Sequence, residues 1–257
     1  MKKVLINRNE VGLIIKNNAV KRVVTEGKYW LGFGESLERY DMADPFKVAH
    51  HLDVLLTIPG FEELVEIVEV LDNEIALMFK NKNFVGLLNA GRHVFWKGLD
   101  DLEFQIENME TLEVPASINK VYLRKDLFKA YVSRYQIEEF QGALLFVNGK
   151  FERELMAGEY FFWKNADVVQ VSIVDKRALY MEIPGQEILT KDKVQIRLNI
   201  GFQYQVKDIK MALLENQSFE SHLYVLMQMI VRTYVSDQTF DGLLENKDAI
   251  AKVILEE

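Results

Sequence analysis

At 257 residues, with 49% hydrophobic and 27% charged residues, the chain has the composition of a globular protein with ample material for a core, not that of a disordered one. A net charge of −8 argues against a general nucleic-acid binder, because such binding rests on neutralising phosphates with Lys and Arg. With no cysteine there is no disulfide framework, thiolate metal site, cysteine nucleophile or palmitoyl anchor, which fits a reducing compartment.

The N-terminus follows Lys2 and Lys3 with only Val4, Leu5 and Ile6 before Asn7, too short an apolar run for a signal peptide. Charge-free stretches such as SHLYVLMQMIV, residues 221–231, fall well below the roughly 18 apolar residues of a membrane span. Membrane contact is therefore expected to be peripheral or through a partner, and the location cytoplasmic or at the inner face of a membrane.

Residues 11–31, VGLIIKNNAVKRVVTEGKYWL, open a pattern that returns as IALMFKNKNFVGLLNAGRHVFWK at 75–97 and GALLFVNGKFERELMAGEYFFWK at 142–164. The three copies align without gaps: Leu13 with Leu77 and Leu144, Asn17 with Asn81 and Asn148, Val20 with Phe84 and Phe151. Gly27, Gly91 and Gly158 follow, and two residues later Tyr29, His93 and Tyr160. Each copy reads as an apolar strand, a tight turn at Asn, a second strand, and a glycine before an aromatic strand, which predicts a β meander. The glycines are expected at positive φ or at a close approach, since the residues around them differ in charge between copies and so do not describe one ligand loop.

Helical signals separate the copies. DPFKVAHHLDVLL predicts a helix with Asp44 as N-cap and Pro45 at the first helical position. KDLFKAYVSRY predicts a second, with Leu127, Ala130 and Tyr131 at helical spacing. After the third copy, residues 194–206 alternate strictly, with Val194, Ile196, Leu198, Ile200, Phe202, Tyr204 and Val206 on one face. At about 3.3 Å per residue such a strand spans on the order of 40 Å. TKDK at 190–193 reads as the turn into it. Residues 219–237 then predict a helix capped by Ser218, with Phe219, Leu223, Leu226, Ile230 and Tyr234 on one stripe and Met227 and Met229 read as core filler ahead of a partner groove. Near the end, Ile250, Val253 and Ile254 have spacings of three and four, too few turns for a sustained coiled coil.

Residues 140–257 resemble the SPFH family, also called band 7 or prohibitin-homology domains, and most closely its stomatin and slipin branch. The resemblance is carried by GALLFVNGKFERELMAGEYFFWK, by VSIVDKRALYMEIPGQEILTKDKV running into the long strand, and by VKDIKMALLE leading into helices. It implies an α+β domain whose members assemble into rings or cages at membranes, organise lipids and regulate membrane-bound proteases or channels. Two extra β units stand where such proteins usually carry a hydrophobic hairpin or span, and NKDAIAKVILEE ends before the long coiled coil the family commonly has. In layout, β units ahead of an SPFH-like domain are similar to the major vault protein.

Side chains with chemistry do not converge in the sequence. His50 and His51 are adjacent, so on a helix they point about 100 degrees apart, and with Asp41 and Asp53 they form no HExxH pattern. GFGESLE at Gly32 lacks the Lys-Ser/Thr of a phosphate loop and reads as a turn. Glu66 and Glu69 alternate with Ile67 and Val68 as a solvated face. Ser36, Ser117, Ser133, Ser172, Ser218, Ser221 and Ser236 lie outside any GxSxG context. The expectation is an α+β protein divided at 1–60, 61–135 and 136–257, with no catalytic, cofactor-binding or metal-ligating residue and no enzymatic activity. Its function is read as that of a scaffold that self-associates into a ring, cage or filament. The alternatives are an adaptor for a membrane-bound protease or channel and a vault-like soluble cage.

Overall fold

Three times along the chain the same succession of five strands forms. The first copy comprises β1 (Lys2–Ile6), β2 (Glu10–Lys16), β3 (Ala19–Val24), β4 (Gly27–Leu31) and β5 (Glu35–Asp41). The second comprises β6 (Val65–Val70), β7 (Glu74–Lys80), β8 (Asn83–Leu88), β9 (Gly91–Trp96) and β10 (Leu102–Asn108). The third comprises β11 (Val132–Ile137), β12 (Gln141–Val147), β13 (Lys150–Leu155), β14 (Gly158–Trp163) and β15 (Val169–Asp175). The computed structural model describes residues 2–245 and divides at Val132 and Ser133 into two units, the first holding two copies and the second holding the third copy and the elements after it.

The repeated antiparallel β units and the short helices between them are present, but the pairing within a copy is not consecutive throughout. The second strand lies in the middle of a three-stranded sheet, β3–β2–β5, β8–β7–β10 and β13–β12–β15, while the first strand pairs with the fourth. The aromatic strand after the glycine thus leaves the hairpin and joins a ribbon begun before the motif. The turns behave as read: Asn17, Asn81 and Asn148 take φ of 54, 50 and 52 degrees, the left-handed conformation Asn tolerates. A register shift follows at the same place in each hairpin, after Ile14, Met78 and Leu145.

In the first unit, β2 is buried on both faces. Ile14 turns into a core with Val4, Ile6, Val24 and Leu31 of its own copy, whereas Val11 and Leu13 face a second core that includes Val65 and Trp96 of the next copy together with Leu55, Ile58 and Phe61. The two copies are therefore joined by apolar burial, the usual reason for tandem units to stack.

That joining core overrides the helix expected from Asp44. Helix α1 spans only Leu52–Leu56, with His51 at its N-cap position, and Asp44 caps nothing helical. Phe46 and Val48 both pack on the joining core, and two residues separated by one can share a face only in extended chain. Further on, α2 (Lys120–Leu123) is capped by the Asn119 side chain, which accepts from the Val121 N–H at 2.9 Å, and a 3-10 turn covers Asp126–Ala130. The inward residue of that turn is Phe128, fully buried and stacked on Phe84 at 5.9 Å. Leu127 is exposed and Tyr131 lies past the turn, because a tighter helix rotates the inward position away from a 3.6-residue stripe.

In the second unit, β16 (Leu179–Leu189) and β17 (Gln195–Tyr204) form a long antiparallel hairpin. Thr190, buried in its turn, takes the Val194 N–H on its hydroxyl at 3.0 Å. The alternation in β17 is real: Ile196, Leu198 and Ile200 pack with Ile188 against Val231 and Val235 of α3 (Phe219–Asp237). Val194, in the turn, is exposed and Val206 lies beyond the strand. A π-type turn, Met211–Glu215, precedes α3, and α4 (Phe240–Glu245) follows it. Residues 250, 253 and 254 of the expected C-terminal stripe lie outside the described residues. No described helix is long and apolar enough to cross a membrane.

Candidate interaction surface

The residues weighed for chemistry are dispersed. His50 Nε2 lies 3.3 Å from Glu38 Oε2 without the alignment of a hydrogen bond, and His51 Nδ1 lies 3.6 Å from Asp53. Among the described residues no three His, Asp or Glu side chains form a metal-binding group. Glu66 and Glu69 are held by cations on the neighbouring strand, Lys97 at 3.1 Å and Arg92 at 3.3 Å. Ser218 Oγ accepts the Ser221 N–H at 3.4 Å as the N-cap of α3, and Ser117 donates to Glu107 at 2.8 Å. Gly32 opens a turn closed by the Glu35 N–H on its carbonyl at 3.2 Å.

What the second unit offers is surface. Helix α3 buries Val231 and Val235 and leaves Val225, Leu226 and Met229 outside, with Met229 62% exposed. Helical spacing alone places Leu226 on the inward stripe. The hairpin takes hold of the helix through Val231 and Val235, four apart, and through Gln228, whose amide donates to Gln186 at 3.2 Å; this rotates Leu226 to the far edge. Of the two methionines, Met227 is half-buried and Met229 is 62% exposed, so Met229 is not core filler.

Beside that exposed edge runs a groove of about 360 Å³ between the end of β17, the π-type turn and the start of α3, its apolar wall formed by Tyr204, Val206, Met211, Phe219, Leu223 and Leu226. Tyr204 at its floor donates to Glu220 at 2.9 Å. Burial, reinforced by the Glu220 carboxylate, pushes its phenol up to about 12, so it remains a neutral donor.

A second feature is the edge of the β16–β17 hairpin. Among the described residues each of these strands pairs only with the other, so both outer edges present unpaired backbone groups, a template for another strand. Part of one edge is blunted: Pro184 lacks an N–H, Gly185 takes φ of 62 degrees, and the register shifts between Ile183 and Gln186. At the start of the hairpin Arg177 pairs with Asp175 and lies over the Phe140 ring at 3.8 Å; hydrogen bonding from Arg177 holds the Asp175 carboxyl below the usual carboxylate range. The sequence does carry one mark of an edge strand, Pro184 inside β16, whereas nothing in it marks the groove, because Met211 and Leu226 are ordinary core residues by composition.

A family model described as the SPFH domain / Band 7 family matches residues 135–257. Similar proteins include an uncharacterized protein of Methanocaldococcus jannaschii, 28% identical over 120 residues, or 47% of this chain and 59% of the relative. They also include Stomatin-4 of Caenorhabditis elegans, 21% identical over 115 residues, covering 45% of this chain and 41% of the relative. Stomatin of Mus musculus is 24% identical over 115 residues, covering 45% and 40%. The matched segment thus spans between 40% and 59% of the length of these relatives.

Proposed function

We propose, from the match of residues 135–257 to the SPFH domain / Band 7 family, that the protein is a non-enzymatic scaffold whose copies associate side by side into a ring, cage or filament. The observation that carries this reading is the combination, on one unit, of open strand edges on β16–β17 with an apolar groove and the exposed Leu226 and Met229 beside it. Backbone edges supply directional pairing, and the groove supplies the apolar burial that makes pairing worthwhile in water. Head-to-tail use of such a surface, edge and groove of one copy against a different face of the next, generates closed rings or open filaments according to the rotation per subunit. The acids and histidines weighed for chemistry do not converge on one place, which supports a role carried by surfaces in place of a reactive pocket.

The test is the solution mass by light scattering over a range of concentrations, for the wild type and for a Leu226→Glu/Met229→Glu double variant. A large defined assembly in the wild type that the variant lacks supports the scaffold. Both side chains are exposed, so the variant is expected to unfold at the same urea concentration as the wild type. A wild type that stays monomeric at every concentration defeats the self-assembly reading and favours an adaptor for a membrane-bound protease or channel.

A further inference from the structure

The first β unit breaks its own repeat at one conspicuous place. Six residues past the repeat glycine, the second and third copies carry Lys97 and Lys164, whereas the first carries Phe33. Lys97 is paired with Glu66 across the ribbon. Phe33 is 99% exposed, at the tip of the turn between β4 and β5, flanked by Gly32 and by Gly34 at φ of 76 degrees. The turn is held rigidly: the Gly32 carbonyl accepts the Glu35 N–H at 3.2 Å, and the Glu35 carboxylate accepts the Gly32 N–H at 2.7 Å. A large ring is thus presented to the surroundings on a fixed support, with no core residue touching it.

The neighbours of that tip are aromatic and cationic. Register places Lys2 and Lys3 opposite Leu31 and Trp30, and Lys16 opposite Glu35. Trp30 is 55% exposed, with the Lys3 ammonium 5.8 Å from its ring centre. The Arg22 guanidinium reaches the Trp30 carbonyl at 3.5 Å. The nearby acid Glu35 is already neutralised by Lys21 at 2.9 Å, and that contact holds its carboxyl below the usual range. The first β unit, residues 1–41, holds eight Lys and Arg against five Asp and Glu, a net +3 in a chain of net −8. Lys2, Lys3, Lys16, Lys21 and Arg22 stand where register or contact places them beside the tip, whereas Lys28, opposite Leu5, and Arg8 lie at the far end of β1.

We propose that the Phe33 end of the first β unit is a membrane-contact site for an anionic lipid surface. Phe33 enters the acyl boundary, Trp30 lies at headgroup depth, where an indole has both an apolar body and a polar N–H to satisfy, and Lys2, Lys3, Lys16 and Arg22 face the anionic headgroups. A protein groove would demand shape around the tip; a bilayer demands only an exposed apolar wedge and surrounding positive charge, which is what stands here. The inference is independent of the scaffold reading, because these residues all lie outside the 135–257 domain.

The chain carries its own reporter. Of its three tryptophans, Trp96 and Trp163 are buried, at 6% and 1% exposure, so a vesicle-induced change in indole emission originates at Trp30. The full chain is titrated with vesicles of mixed phosphatidylserine and phosphatidylcholine and with vesicles of phosphatidylcholine alone, reading emission and co-sedimentation. The expected result is a blue shift and binding on the anionic vesicles, weakened by added salt. Phe33→Ser is expected to bind on the order of 10-fold or more weakly, the effect of withdrawing one aromatic side chain from an apolar phase. Lys2→Glu is expected to bind more weakly by at least about fivefold, the effect of one basic charge near such a surface. Since Phe33 supports no core, Phe33→Ser should unfold like the wild type, so lost binding is not lost fold. Equal binding to phosphatidylcholine alone, undiminished binding by Phe33→Ser, or no binding to either vesicle overturns the proposal, and the last result would point to a protein partner for the tip.

Discussion

The Tyr204 hydroxyl, at the last residue of β17, donates a 2.9 Å hydrogen bond to Glu220 in the first turn of α3, tying the long hairpin to the helix beside the groove. Burial and the Glu220 carboxylate raise the phenol from 10 to about 12 in the folded protein. As pH rises above 10, the unfolded chain gives up this proton first while the folded protein retains it. Stability is therefore full below pH 10 and falls as pH climbs towards 12. Tyr204→Phe is expected to lose this component of the alkaline slope; urea unfolding at a series of pH values, monitored in both proteins, checks it, and identical slopes would sink the assignment.

Phe61 fills the middle of the core that joins the first two copies, fully buried, with ring centres of Phe46 at 6.4 Å and Trp96 at 6.3 Å. Phe61→Ala is expected to destabilise the first unit by about 3–5 kcal/mol through lost burial and the cavity left behind. Trp96 stands in this core, so its emission follows the unfolding directly.

Gly12 on β2 has no room for a side chain: a Cβ there would lie 2.9 Å from Ile6, Leu37 and Val24 side chains at once. Gly12→Ala is expected to cost about 1–3 kcal/mol by overpacking, measured by urea unfolding. The equivalent position of the second copy is Ala76, buried in its own small core, so the requirement belongs to the first copy's packing and not to the β unit in general.

The three turn asparagines share a left-handed backbone, but only some have further work. Asn148 accepts the Val168 N–H at 2.9 Å and donates to Asp167 at 2.8 Å, and Asn81 accepts the Asp101 N–H at 3.2 Å. Asn17→Ala is expected to cost about 1–2 kcal/mol from the backbone conformation, and Asn148→Ala about 1 kcal/mol more for the lost hydrogen bonds. Equal costs, measured by chemical denaturation, would show that the side-chain bonds contribute nothing.

Where the chain's reading and the folded protein agree, the determinants are local. Period-two alternation in β17 and Ser218 ahead of α3 each depend on residues within one or two turns of chain, and the threefold recurrence of Leu, Asn and Gly marks the same hairpin each time. Where they part, a distant surface intervened. Asp44 and Pro45 form a good helix start, yet Phe46 and Val48 were drawn together into a core completed by Trp96. Leu226 fits a helical stripe by spacing, yet the hairpin grips α3 along Val231 and Val235.

Composition and pattern alone therefore settled the α+β character, the triplicate β unit, the position of its tight turns and the helix after Ser218, because dihedral preference and hydrophobic period are written in neighbouring residues. Tertiary structure decided that the fourth strand of each copy pairs with its first, which face of α3 stays outside, that among the described residues β16 and β17 pair only with each other, and that Phe33 stands exposed at the tip of its turn. Each of these is a matter of which surfaces meet, and burial is a property of both partners: a strand or helix offers a face, but only the element packed against it, or left absent, determines whether that face becomes core or interface.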